Sequence, residues 1–328
     1  MKVLTVSGFL GAGKTTFIKT LVNKTGRDIA IYENEYAAEG VDKKVLEDAI
    51  TNGDVNIFET SSGCICCSEK GDFKASVLTI ANSIDPEILI VEPTGVGRLS
   101  NVINNLKELE YDRIQILKPV TIADAGTVEQ YIRSKDELYA DQLSEASVII
   151  LSKQENMDEN ELAHIEKLIR ELNPDAEIIK SHYSSFDTDW FNTLFEKPYD
   201  ESQAPAKSAE ASDAPLPESF SLEGISAPSL AHFICFAEDL VRGEFGCCLR
   251  AKGYVNVGDE LLHFEVSGGR YFIEGVSADE KPVAVFIGYG LKRQALRRKL
   301  FRQIKPDAGY FMKPGASKLY AKRRAAVE

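Results

Sequence analysis

The sequence predicts an α/β fold: a mostly parallel sheet covered by helices, followed by a smaller α+β domain. Three observations carry this. Runs apolar throughout, such as Ile88-Leu89-Ile90-Val91 and Val148-Ile149-Ile150-Leu151, alternate with amphipathic helical segments, the pattern of parallel strands buried on both faces. A glycine-rich stretch, Gly8 to Thr15, separates the first strand from the first helix. Between Ser202 and Glu218 the periodicity gives way to Ala, Ser, Pro and Asp, and a new set of strands follows.

In chain order, Met1 to Ser7 reads as a strand and Thr16 to Val22 as the start of a helix. Asp28 to Tyr32 is a buried strand running into Glu33-Asn34-Glu35-Tyr36, and Val55 to Phe58 is a short β-like run that delivers Cys64-Ile65-Cys66-Cys67. Ile88 to Val91 ends in Glu92-Pro93-Thr94-Gly95, Val120 to Ala123 leads to Asp124, and Val148 to Leu151 leads to Ser152-Lys153. Ile178-Ile179 is a weaker strand, and Leu99 to Leu109 and Glu159 to Leu172 have helical spacing. Polar residues at the C-terminal ends of parallel strands are where such sheets bind ligands. The expected organisation is residues 1–199 as the α/β domain, 200–226 as a flexible linker and 227–328 as the α+β domain. In the latter, Leu230 to Val241 reads as a helix. Leu249 to Val255, Leu261 to Val266, Arg270 to Glu274 and Val283 to Ile287 read as strands, and Lys292 to Ile304 as a closing helix.

Composition narrows the class. With 328 residues, 44% of them apolar, the chain has material for about two domains with a buried core. The apolar run before Gly8 is too short for a signal segment or a membrane span, and no later run reaches the roughly 18 residues a span needs. A cytoplasmic protein without a membrane partner is expected. The net charge is −13, yet from Lys292 onward twelve Lys or Arg face only Asp307 and Glu328, leaving about −23 on the remainder. An acidic body argues against nucleic acid as a partner. The basic segment reads most simply as a solvated helix face.

Gly8-Phe9-Leu10-Gly11-Ala12-Gly13-Lys14-Thr15 between a strand and a helix is the GxxxxGK[ST] arrangement of a phosphate-binding loop. Its backbone N–H groups and the helix N-terminus can wrap a polyphosphate. Gly8, Gly11, Ala12, Gly13, Lys14, Thr15 and Thr16 are the expected contacts. Lys14 is suited to the β- and γ-phosphates, and Thr15 and Glu92 are suited to Mg²⁺. Glu92 can alternatively polarise the attacking water, and Gly95 offers an N–H near a γ-phosphate. Lys14, Thr15 and Glu92 are thus the catalytic candidates. Ser152-Lys153-Gln154-Glu155 occupies the place of the [NT]KxD motif, in which the acid accepts guanine N1–H and N2–H₂. Here Glu155 replaces Asp and Ser152 replaces the commoner Asn, so guanine is favoured over adenine with the carboxylate displaced by one methylene. An ATPase of similar fold is the alternative.

Cys64, Cys66 and Cys67 place three thiols within four residues, a set that suits Zn²⁺ or another soft ion and leaves a coordination position open. Buried apolar cysteines or a redox switch are the alternatives. Cys247 and Cys248 are adjacent in a strand, so their side chains should diverge and pack rather than share a metal.

Taken together these motifs resemble the CobW family of P-loop GTPases, relatives of hydrogenase- and urease-maturation GTPases. The resemblance rests on Gly8 to Thr16, Glu33 to Tyr36, Ser62 to Cys67 with Gly71-Asp72, and Glu92 to Gly95. In the second domain it rests on Arg250 to Gly253 and Val285 to Gly288. It implies hydrolysis of Mg²⁺·GTP to GDP and phosphate, coupled to binding Zn²⁺ (or Co, Fe or Ni) at the CxCC and delivering it to a client metalloprotein. Cys64, Cys66 and Cys67 would be the ligands, with Glu33 as a further family position. The rival reading is a nucleotide-gated activator of a cofactor-dependent enzyme, a corrinoid enzyme for example, without metal transfer. A homo-oligomer is compatible with either. This chain has Ala37-Ala38 where family members commonly carry Gly-Glu, and no His-rich stretch near the linker.

Overall fold

The computed structural model describes residues 1–33, 56–59, 70–111, 113–134, 136–200, 217–258, 260–276 and 280–301. The chain divides into two compact units, Met1–Leu216 and Pro217–Glu328.

The first unit is built on a parallel sheet, which among the described residues runs β3-β2-β4-β1-β6-β7-β8. Its strands are β1 (Lys2–Gly8), β2 (Ile29–Glu33), β3 (Asn56–Glu59), β4 (Ile88–Glu92), β6 (Val120–Asp124), β7 (Val148–Ser152) and β8 (Glu177–Ile179). A two-residue strand, β5 (Gln115–Ile116), adds to β1. The all-apolar runs have the anticipated cause. Ile88 and Ile90 face one side with Leu4, Val6, Ile122 and Ile150, while Leu89 and Val91 face the other with Val3, Ala30 and Tyr32. Helix α1 (Lys14–Thr25) covers the first side through Phe17, Ile18 and Leu21. Helices α2 (Lys70–Ser83) and α3 (Leu99–Lys107) cover the second through Phe73, Val77, Val102 and Leu106. Burying a side chain of this size contributes roughly 1.5–3 kcal/mol, so both faces of each strand hold the sheet together. The unit is completed by α4 (Val128–Arg133), α5 (Glu137–Ser144), α6 (Glu159–Leu172) and α7 (Thr188–Thr193). The start of α6 is fixed by a capping box: Asp158 accepts from Asn160 and Glu161 N–H, and Glu161 accepts from Asp158 N–H.

The second unit is an antiparallel sheet in the order β13-β12-β11-β14-β9. It comprises β9 (Glu218–Glu223), β11 (Cys247–Val257), β12 (Glu260–Ser267), β13 (Arg270–Gly275) and β14 (Val283–Tyr289), with the short β10 (Ser226–Ala227) beside β11. Helices α8 (Leu230–Val241) and α9 (Arg293–Phe301) put Phe233, Phe236, Leu240, Leu296 and Leu300 onto Ala251, Val255, Phe264 and Phe286. The unit starts earlier than residue 227. Glu218–Glu223 pairs along β14, so the last part of the span read as linker belongs to the sheet. With Phe220 and Leu222 as its only apolar residues, that strand carries too weak an alternation to be read from sequence. Of the basic segment, Lys292 donates to Glu244 O at 2.9 Å, and Arg293 and Lys299 pair with Glu218 and Asp239 at 3.1 and 3.0 Å. Helix α9 therefore directs part of its charge onto its own unit. Residues 302–328 lie outside the described residues.

Cys247 is exposed, whereas Cys248 packs against the second core, consistent with side chains on opposite faces. Burial, reinforced by Cys247, pushes the Cys248 thiol up to about 12.

Candidate phosphate-binding and switch site

Four parallel strands, β1, β2, β4 and β6, end side by side, and their C-terminal residues make the site. β1 hands over to the loop at Gly8, whose φ is 148° and where a Cβ would stand 2.4 Å from Ile122 O. No side chain fits there. Gly11 and Gly13 turn at φ 72° and 97°, and Gly13 caps α1. Ala12 is buried and its N–H donates to Phe9 O at 3.2 Å, while Thr16 lies exposed on the first turn of α1. Phe9, only 2% exposed, is seated between Tyr131 of α4 and Tyr139 of α5, with ring centroids 4.6 and 5.5 Å away.

Glu92 lies across from the loop. Its Oε1 accepts from the Thr15 hydroxyl at 3.3 Å and stands 3.9 Å from Lys14 Nζ. Side-chain exposure of Lys14 and Glu92 is 7% and 10%, so the ammonium is nearly desolvated, and among the described residues this carboxylate is its ion-pair partner. Thr15 and Glu92 thus converge as hard oxygen donors, a set that fits Mg²⁺. On the adjacent strand Glu33 is in register with Glu92 and 6% exposed. Residues in register on parallel neighbours share a face, so both carboxylates lie on the α1 side.

Beyond Glu92 the chain turns tightly: Gly97 N–H donates to Thr94 O at 2.8 Å, and Val96 N–H to Thr94 Oγ1 at 3.1 Å. Gly95 presses on the phosphate loop, since a Cβ there would be 2.6 Å from Leu10 Cδ2 and 2.9 Å from Leu10 N. The turn and the loop are in direct contact.

Ser152-Lys153-Gln154-Glu155 follows from the end of β7. Ser152, 3% exposed, directs its hydroxyl to Ala12 O at 2.7 Å, with Ala123 O at 3.3 Å. It ties β7 to the phosphate loop. Lys153, at φ 56°, pairs with Asp124 at 3.1 Å, and the latter also accepts from Gly126 N–H. Glu155 is well exposed, 3.5 Å from His182 Nε2. Ser184 N–H donates to His182 Nδ1 at 3.2 Å, so a neutral His182 carries its proton on Nε2, facing Glu155.

Sequence reasoning assigns no role to Asp124, His182 or Gln142. Asp124 carries the same signal as Glu92, an acid closing an apolar strand; the other two act across long separations that no local pattern records. Cys64, Cys66 and Cys67 lie outside the described residues, as do Asn34 to Val55. Among the described residues no group of three or more His, Cys, Asp or Glu is arranged to hold a metal ion, and no helix is long and apolar enough to cross a membrane.

Residues 2–180 match the family model described as "CobW/HypB/UreG, nucleotide-binding domain". The chain belongs to the CobW/HypB/UreG family. Residues 218–303 match the "Cobalamin synthesis protein cobW C-terminal domain". The zinc-regulated GTPase metalloprotein activator 1 of Dictyostelium discoideum is 29% identical over 220 residues, 55% of this chain and 46% of that protein. The zinc chaperone CobW of a Sinorhizobium species is 30% identical over 182 residues, 47% of this chain and 51% of that protein. The chain spans about half the length of the curated relatives it matches. The crystal structure of Zn(II)-bound YjiA GTPase from E. coli aligns over 93% of this chain and 99% of that chain, with a TM-score of 0.46 and 22% identity.

Proposed function

We propose that this protein is a cytoplasmic GTPase that couples hydrolysis of GTP to GDP and phosphate to the binding and delivery of a transition metal, with Zn²⁺ as cargo and a metalloprotein as client. The observation that carries it is the pairing of two carboxylates on neighbouring strands: Glu92, in contact with Lys14 and Thr15, and Glu33 in register beside it. Glu33 leads into the segment that resembles the family's metal-handling switch, so nucleotide and cargo sites share one sheet edge. In this reading Gly8 to Thr16 wrap the phosphates, with Lys14 neutralising the terminal ones. Ser152 holds the loop through Ala12, and Lys153 and Glu155 meet the base. Thr15 and Glu92 would hold Mg²⁺, which supplies charge neutralisation between the β- and γ-phosphates when bound. Glu92 also orients Lys14 before nucleotide arrives. Cys64, Cys66 and Cys67, with Glu33, are the proposed cargo ligands. The names of the relatives, a zinc chaperone and a zinc-regulated GTPase activator, support this assignment.

The test is metal analysis of reductively purified protein. Wild type is expected to bind Zn²⁺ stoichiometrically and to change its affinity between GTP and GDP. Cys66→Ala should lose the metal and keep GTP affinity within about twofold, because the thiols stand apart from the phosphate loop in sequence. Unchanged Zn²⁺ binding in Cys66→Ala refutes the cargo assignment.

A further inference from the structure

Helix α5 carries no residue expected to bind nucleotide, yet its side chains converge on the turn after Glu92. Gln142, 1% exposed, donates from Nε2 to Gly95 O at 3.2 Å and Gly97 O at 2.8 Å. Asp141 accepts from Ser100 N–H at 3.2 Å and from its hydroxyl at 2.6 Å, fixing the first turn of α3. Glu137 pairs with Arg98 at 3.2 Å. The same helix reaches the phosphate loop, where Tyr139 packs on Phe9. It is moored to the sheet by Thr121, whose hydroxyl donates to Gln142 O at 2.9 Å and whose strand lies beside β1 with Ser7 in register. One rigid element therefore holds both the loop and the turn.

The orientation of the turn gives this a chemical meaning. Thr94 C=O points inward to Gly97 N–H. The Thr94–Gly95 peptide is trans, so the Gly95 N–H points to the opposite side. Gly95 itself lies against Leu10 without room for a Cβ. The amide at position 142 donates twice from one nitrogen to two carbonyls, whereas a carboxylate there repels both.

We propose that Gln142 is the positioning residue for triphosphate sensing: by donating to the Gly95 and Gly97 carbonyls it holds the turn so that Gly95 stays against the phosphate loop and its N–H is presented to the terminal phosphate. This rests on the reading of Gly8 to Thr15 as a GTP site. Gln142 touches no nucleotide. It acts through Gly95, so its loss weakens binding of the triphosphate and leaves the diphosphate, which has no group at that position, unaffected.

The experiment measures binding of GDP and of a β,γ-non-hydrolysable GTP analogue, each with Mg²⁺, to the full chain. In Gln142→Met the analogue affinity should fall about tenfold, the scale of two net hydrogen bonds, with GDP affinity within about twofold of wild type. In Gln142→Glu the loss should be at least as large at pH 8 and partly recovered near pH 5, where a protonated carboxyl regains one donor. Equal weakening of both nucleotides in either variant, or no change in either, overturns the proposal. If one variant does not fold, the other decides. Wild-type protein that binds neither nucleotide overturns the GTP reading itself, and this inference with it.

Discussion

Replacing Glu92 with Gln isolates what the carboxylate does for Lys14 and for catalysis. The charges lie 3.9 Å apart with side chains at most 10% exposed, which corresponds to about 4 kcal/mol of attraction at an effective dielectric near 20. Desolvation of both groups offsets most of that attraction in the intact pair. In Glu92→Gln the attraction is gone while the ammonium stays buried without its counter-charge. Since the amide keeps an oxygen near Lys14, about 2 kcal/mol of stability should be lost without nucleotide, below the roughly 3–5 kcal/mol typical of a fully broken buried pair. Phosphate oxygens can replace the missing carboxylate, so saturating GTP should restore much of the deficit. Hydrolysis should fall on the order of a hundredfold, because neither metal ligation nor polarisation of water survives the change. Urea unfolding with and without GTP·Mg²⁺, together with single-turnover hydrolysis, reads all three effects. A variant that hydrolyses GTP within about threefold of wild type, with an unchanged unfolding midpoint, refutes the role given to Glu92.

Two further outcomes are expected. Ser152→Ala should weaken GDP and GTP binding equally, by about fivefold, and leave discrimination against ATP intact, since the hydroxyl holds Ala12 O rather than a base; a selective loss of guanine preference in competition binding contradicts that placement. For Cys248, the folded thiol titrates at about 12 against 9.0 for the free group. The folded state keeps the proton while the unfolded chain releases it, so the stability present below pH 9 is lost as pH rises toward 12, by up to ~1.4 kcal/mol per unit. Cys248→Ala should flatten that slope in alkaline urea titrations by the equivalent of one proton, and an unchanged slope rules the contribution out.

How much of this is readable from sequence depends on the distance over which each signal acts. The phosphate loop is contiguous, and β4 announces Glu92 by being apolar on both faces, so both are legible. Helical spacing likewise marks α6 and α8, whose starts the structure shows capped by Asp158 and Ser229. Gln142 is not legible: an amide in an eight-residue helix is unremarkable until the fold brings it 47 residues back to Gly95. The motif containing Ser152 points to a nucleobase, whereas the register of β7 against β6 and its proximity to Ala12 give the hydroxyl a backbone partner. His182 leaves no sequence signal because its relation to Glu155 exists only where the ends of β7 and β8 meet.

The aromatic seat beneath Phe9 has a kinetic consequence. Phe9 is wedged against Tyr131 and Tyr139, and these rings also pack on each other at 4.9 Å. All of these contacts are made within the protein, so the entropy of ordering the outer limb of the loop is lost when the domain folds. An arriving nucleotide meets a shaped cradle, and little of its binding energy goes into building one. Capture then proceeds at a rate governed by encounter and orientation, and differences between nucleotides are expressed in how long each remains. In the proposed coupling of nucleotide state to metal delivery, residence time becomes the clock.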